Sequence, residues 1–211
     1  MKILAVSDRV AKIIYSPSIR TRFSDVDMVV SCGDLPYSYL EYIVSSLNVP
    51  CFFVHGNHDK PEHLQNGSIL SQPGGWINLD SNTRWSKGLI LAGLEGSNRY
   101  NPHGDYQYTE GEMTLKIWRM MPSLLFNRIR YGRYLDILIT HAPPFGIHDG
   151  EDVCHQGFKV MLWFMERFRP RYFLHGHKHI YRPETRQTRY EDTQVINVYP
   201  RYMLELNAES K

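Results

Sequence analysis

The chain of 211 residues has three cysteines, no long apolar run, no internal repeat and no dominant sign of charge, and each shortage removes a class of protein. Cys32, Cys51 and Cys154 are odd in number and unrelated in spacing, which argues against a disulfide framework or a thiolate zinc site. Cys32 and Cys51 lie inside apolar runs and are expected to be reduced and buried. No stretch approaches the roughly 20 apolar residues of a membrane-crossing helix. The run at 3–6, stopped by Asp8 and Arg9, is too short for the core of a signal peptide. A cytoplasmic protein without a membrane partner is expected. Lys and Arg number 24 against 22 Asp and Glu, a net charge of +2. That balance lacks the footprint of a dedicated nucleic-acid binder, so nucleic acid is not the favoured partner. No linker or low-complexity tract divides the chain, and one domain over residues 1–211 is expected.

What is present is a series of short apolar runs bounded by turn residues, at 3–6, 28–31, 51–54, 89–92, 134–139, 172–174 and 195–198. Several are rich in Val and Ile and read as buried strands. Between them, 37–47, 109–130 and 153–169 read as helices, the last stopping before Pro170. Strands alternating with helices predict an α/β core. Near the end, 182–190 and 193–198 read as two extended runs joined by Glu191-Asp192, which predicts a hairpin and therefore mixed sheets. The segment 95–108 combines Gly, Asn and Pro with three tyrosines and reads as an ordered surface loop. The apolar positions of 159–168 read as the buried face of a helix, with no cofactor role.

The chemistry is suggested by position. Five apolar runs end in residues able to bind a metal: Asp8; Gly33-Asp34; Gly56-Asn57-His58-Asp59; His141; and Gly176-His177-Lys178-His179. In open α/β sheets the crevice beyond the carboxyl ends of the strands is where ligands bind, so these side chains would meet there. Carboxylate and imidazole ligands suit Mn, Fe or Zn. Taken singly, Asp8 or Asp34 is most simply a turn carboxylate after a strand; joined by four histidines, that reading fails. His55 and His175 adjoin the glycine-containing motifs, and a buried, hydrogen-bonded structural role suits them as well as metal contact.

Gly33-Asp34, Gly56-Asn57-His58-Asp59, Thr140-His141 and Gly176-His177-Lys178-His179, in this order and preceded by Asp8, resemble the calcineurin-like metallophosphoesterases. The resemblance implies a four-layer αββα sandwich with two mixed sheets. It implies two divalent or trivalent metal ions, bridged by Asp34. Asn57, His141 and His177 would complete the second ion's site, while Asp8 and His179 would bind the first ion with Asp34. His58, oriented by Asp59, would contact phosphate and protonate the leaving oxygen. The nucleophile would be a metal-activated hydroxide. A small-molecule phosphoester is the implied substrate, with a diester somewhat favoured over a monoester because no Arg cluster is evident to hold a dianion. A catalytically weakened interaction or scaffold protein, and a nuclease, are the alternatives. The sequence does not specify an oligomeric state.

The family's first motif is Asp-x-His, whereas this chain reads Asp8-Arg9-Val10, and valine cannot coordinate. A water or His155 could fill the gap, the first site could fill only with substrate, or activity could be lost. Asp152 is expected either to cap the helix after it or to lie in a substrate loop. Arg9, Tyr37, Arg99, Tyr100, His103 and His155 are candidate substrate contacts or supports of the ligands.

Overall fold

A computed structural model describes residues 1–63, 67–180 and 186–206. In chain order the first elements are β1 (Lys2–Val6), α1 (Ile19–Arg22), β2 (Met28–Ser31), α2 (Tyr37–Leu47), β3 (Cys51–Phe53), β4 (Glu62–His63), β5 (Ile69–Leu70) and β6 (Ile77–Asn78). There follow β7 (Thr83–Ser86), β8 (Leu89–Leu94), β9 (Ser97–Asn98), β10 (Gln107–Tyr108), α3 (Glu110–Tyr131), β11 (Ile137–Thr140) and α4 (Lys159–Phe168). The chain closes with β12 (Tyr172–His175), β13 (Gln187–Tyr190), β14 (Thr193–Asn197) and β15 (Arg201–Glu205).

One sheet has the order β15-β1-β2-β3-β6, the other β13-β14-β12-β11-β8-β7. Within each, the inner strands are parallel, while β15, β13 and β7 pair antiparallel. Period-two alternation makes the layers, because successive side chains of a strand point to opposite faces. In β1, Ile3 and Ala5 join Met28, Val30, Leu91, Ile137, Ile139 and Leu174 in the core between the sheets. The intervening Leu4 and Val6 pack outward with Val29, Phe53, Tyr39 and Ile43, under α1 and α2. On the second sheet, Ile90, Leu138, Phe173 and Val195 face Met113, Ile117, Phe164 and Met165 of α3 and α4. Three apolar layers separated by two sheets make the four-layer αββα sandwich that the family resemblance implies.

α3 keeps its expected start because Thr109 and Glu112 form a reciprocal capping box. Its end is set by Gly132, at φ 77°. The expected helix over 153–169 is shorter than predicted. It begins at Lys159, since Phe158 is held extended by a bridge to Pro144, with its N–H donating to the Pro143 carbonyl at 3.3 Å. Asp152 therefore caps no helix; its carboxylate takes the backbone N–H of His155 at 3.1 Å. The expected strand over 134–139 starts later, at Ile137. Asp136 instead turns its carboxylate to the backbone N–H of Ile90 at 2.7 Å. The predicted hairpin is present as β13 and β14, with residues 182–185 of its first run outside the described residues. The segment 95–108 is less a loop than expected, since β9 and β10 pair within it and Ser97 and Gln107 are buried.

Candidate metal centre

Five strand ends meet at one edge of the sandwich. Asp8 follows β1, Asp34 follows β2 and His177 follows β12, and all three sit in left-handed backbone at φ 61°, 57° and 64°. Such conformations cost energy and concentrate at functional sites. Glycine permits the strand ends to approach: a Cβ on Gly56 would fall 2.7 Å from the Asp34 backbone nitrogen, and one on Gly176 would lie 2.7 Å from the Ser7 Cβ.

His141 is fully buried. Its Nδ1–H donates to the Cys32 carbonyl at 2.7 Å, which leaves a lone pair on Nε2. His177 has the opposite arrangement: Nε2–H donates to the Cys154 carbonyl at 2.6 Å, leaving Nδ1 bare. The two bare nitrogens stand 3.0 Å apart. Asn57 Oδ1 lies 3.0 Å and Asp34 Oδ2 3.3 Å from His141 Nε2. Four groups able to give an electron pair thus converge, an arrangement that a cation relieves, either a proton on His141 Nε2 or a metal ion in its place. Donors bound at 2.0–2.2 Å to one ion stand roughly 3.0–3.5 Å apart, so the spacing fits a metal. Asp34, His141 and His177 form one compact donor group. The charges agree. Burial alone would push the Asp34 carboxyl up, but His141 and the His58 N–H bring it down to about 2. Burial likewise pulls His141 down, yet Asp34 and Asp8 raise it to about 9. The field therefore favours positive charge at this point.

The first position is built differently. Asp8 accepts the backbone N–H of His177 at 3.1 Å on each oxygen and a short hydrogen bond from Ser7 Oγ. Burial raises its carboxyl above the ordinary range, opposed by His141 and His179. His179 is exposed and stacks on Tyr199 at 4.3 Å. Among the described residues, Asp8 and His179 are not drawn into a compact donor group. Val10 packs into the apolar layer beneath α1 and α2. His155 sits with Cys154 and His177 in a second donor group, which shares His177 with the first, and its ring also meets Asp152 at 2.8 Å.

His58 is exposed at the rim, with its backbone N–H on Asp34 Oδ1 at 2.8 Å. The expected His58–Asp59 pairing is absent from the described contacts. Asp59 instead accepts backbone N–H groups from Gly56 at 2.8 Å, Asp34 at 3.1 Å and Leu35 at 3.2 Å, pinning two ligand turns together. Burial, with Asp34 adding to it, lifts its carboxyl to about 6. A cleft of about 280 Å³ lined by Asp34, Tyr37, His58, Asp59, Lys60 and Glu62 opens beside it.

The candidate contacts divide. Tyr100 belongs to the site, since its hydroxyl accepts from Asn57 Nδ2 at 3.1 Å and bonds the Cys154 thiol. Tyr37 borders the cleft, although its hydroxyl is committed to the Ser71 carbonyl at 3.2 Å. Arg9 is exposed next to Asp8. Arg99 is turned away, onto the Gln107 carbonyl and Glu112 at 2.9 Å. His103 lies on an exposed turn, its N–H on Asn101 Oδ1. Sequence reading missed Cys154, whose carbonyl sets the His177 tautomer. It also missed a buried charge cluster beneath Asn57. There Lys116 Nζ meets Asp80 at 2.7 Å and Glu95 at 3.1 Å, and Glu95 meets His55 Nδ1 at 2.9 Å. The lone lysine on a helix gave no signal of this. His55 and His175 are buried and hydrogen-bonded, the latter to His148 at 3.0 Å.

Residues 1–181 match the profile of the family described as calcineurin-like phosphoesterase. An uncharacterized protein of Methanocaldococcus jannaschii, MJ1162, is 25% identical over 193 residues, covering 85% of this chain and 80% of that protein. Among solved structures, TT1561 of Thermus thermophilus aligns over 93% of this chain and 88% of that one, at 16% identity and a TM-score of 0.60, a likeness of fold. Vps29 of Chaetomium thermophilum covers 94% of this chain and 72% of that one at 14% identity, but its TM-score of 0.37 is too low to bear on function.

Proposed function

Because the chain belongs to the calcineurin-like phosphoesterase family, we propose that it is a metal-dependent hydrolase of phosphate esters that works with two metal ions and prefers diesters. The observation that carries this reading is the convergence of four donor groups, from Asp34, Asn57, His141 and His177, within hydrogen-bond distance of His141 Nε2. These residues would hold one ion, and Asp8 and His179 would hold the other with Asp34 as the shared carboxylate. Once bound, the ions supply Lewis-acid charge for phosphoryl oxygens and a water acidic enough to attack at neutral pH. The buried ligands suit Mn, Fe or Zn, and three free cysteines suit a reducing compartment such as the cytoplasm.

The remaining work falls to the chain's own groups. His58, exposed at the lip of the cleft, is placed to hand a proton to the leaving oxygen. Its backbone N–H is held on Asp34 Oδ1, which fixes where the side chain leaves the main chain beside that carboxylate. Tyr100 holds the Asn57 amide so that its oxygen, not its nitrogen, faces His141. Diester preference is supported by Arg99 being tied to Glu112, which among the described residues leaves it unable to join a guanidinium cluster for a second phosphate charge.

The test is hydrolysis of bis(p-nitrophenyl) phosphate and p-nitrophenyl phosphate with added manganese. The diester should show the higher kcat/KM, and Asp34→Asn should lower it by more than about 100-fold, beyond the 10–100-fold typical of groups that only orient ligands. No turnover of either ester, or turnover indifferent to Asp34→Asn, overturns the reading. Val10 in place of a ligand favours one rival, a weakened family member acting as a scaffold, which predicts the first of these outcomes.

A further inference from the structure

α3 is apolar on two opposite faces. One is buried: Met113, Ile117, Met120 and Leu124 pack on the second sheet. The other points to solvent. Leu115 is 52% exposed, Trp118 65%, Leu125 47%, Phe126 61% and Ile129 87%, with exposed Pro122 among them. At 100° per residue these six positions fall within about 100° of arc, the width of a core-facing stripe, centred opposite the buried face. The stripe runs for about four turns.

We propose that this stripe is the interface of a homodimer, in which two copies of α3 pack antiparallel across a two-fold axis at Pro122. The sequence pattern is self-complementary about that point. Leu115 stands seven residues before Pro122 and Ile129 seven after; Trp118 stands four before and Phe126 four after. In an antiparallel pair, Leu115 of each copy thus meets the other's Ile129, and Trp118 meets Phe126, the reciprocity a two-fold interface demands. Charge selects the same orientation. The first turn of α3 carries Glu110 and Glu112 and the last carries Arg128 and Arg130. Antiparallel packing sets acidic end against basic end and opposes the helix dipoles, whereas parallel packing would juxtapose like ends. Both acids already have partners within the chain, Glu112 with Arg99 and Glu110 with the start of α4, so their part is to orient.

The area suffices. With a buried aromatic contributing 150–250 Å², the stripe offers roughly 600–700 Å² at these exposures. That exceeds the largest apolar patch of most monomers, about 300–600 Å². Doubled across the axis, it reaches the lower bound of about 1,200 Å² for a specific complex. The stripe contains none of the residues placed at the metal centre, so the inference stands apart from the proposed activity.

Sedimentation equilibrium of the full chain at micromolar concentration tests it. The dimer is expected, and Trp118→Glu combined with Phe126→Glu should weaken it by about 30-fold or more. The variant's far-ultraviolet circular dichroism and cooperative melting should be retained, because both side chains are exposed. Orientation is read by disulfide trapping: Pro122→Cys, at the axis, should cross-link two copies under mild oxidation. Gly111→Cys should not, since antiparallel packing holds its two copies roughly 33 Å apart. A monomeric wild-type chain, a dimer unaffected by the double substitution, or trapping at residue 111 but not 122 overturns the proposal.

Discussion

Two imidazoles with opposite tautomers govern the residue scale. Each gives one N–H to a backbone carbonyl, Cys32 for His141 and Cys154 for His177, so the remaining nitrogens of both rings are aimed at one point. A carbonyl cannot accept and then release the proton as a carboxylate can, which makes the assignment rigid. His58 stands outside this arrangement, and its role is separable. His58→Gln is expected to lower kcat by about 100-fold or more while leaving bound metal unchanged; parallel loss of metal, measured by atomic emission, would show that the ring belongs to the ligand set. The residues proposed as ligands stood out in the sequence because their motifs end apolar runs. The tautomers were not, because backbone carbonyls carry no sequence signal, and Asp59 was misread as the partner of its neighbour when its carboxylate bridges two turns.

At the scale of elements, two polar links, one buried and one half-buried, join segments that the apolar pattern leaves unconnected. Lys116 of α3 reaches Asp80 and Glu95, and through Glu95 the histidine that precedes the Gly56-Asn57 turn. Breaking a buried ion pair strands its partner, so Lys116→Met should destabilise the fold by about 3–5 kcal/mol in urea unfolding; a change below about 1 kcal/mol would mean the charges are effectively solvated. The second link is His148, which ties His175 to Thr188 of the terminal hairpin, at 3.0 and 2.8 Å. Burial pushes His148 down to about 4 from an ordinary 6.5. The folded chain therefore binds fewer protons than the unfolded chain between those values. Its contribution is complete above about pH 6.5 and is lost as pH falls towards about 4. The urea midpoint should fall across that window, and His148→Gln should flatten the slope; an unchanged slope would remove His148 from the account. Helices α2 and α3 were readable almost to the residue because their ends are chemically marked. The missed strand β15 is half polar, and only its pairing with β1 makes it a strand.

For the whole molecule, three apolar layers hold two sheets in one orientation, so that the ends of β1, β2, β3, β11 and β12 open on the same edge. The short apolar runs made the α/β core readable and the family resemblance supplied its four layers, whereas nothing in the spacing of α3's apolar residues separates those that pack on the sheet from those that face outward. The claim on which the function rests is that this edge binds metal through Asp34, Asn57, His141 and His177. Metal content decides it most directly. Protein stripped with chelator, reloaded with manganese and desalted is predicted to retain two equivalents, falling to one or fewer in His141→Ala. Retention of no metal by the wild-type chain, or equal retention by His141→Ala, would contradict it.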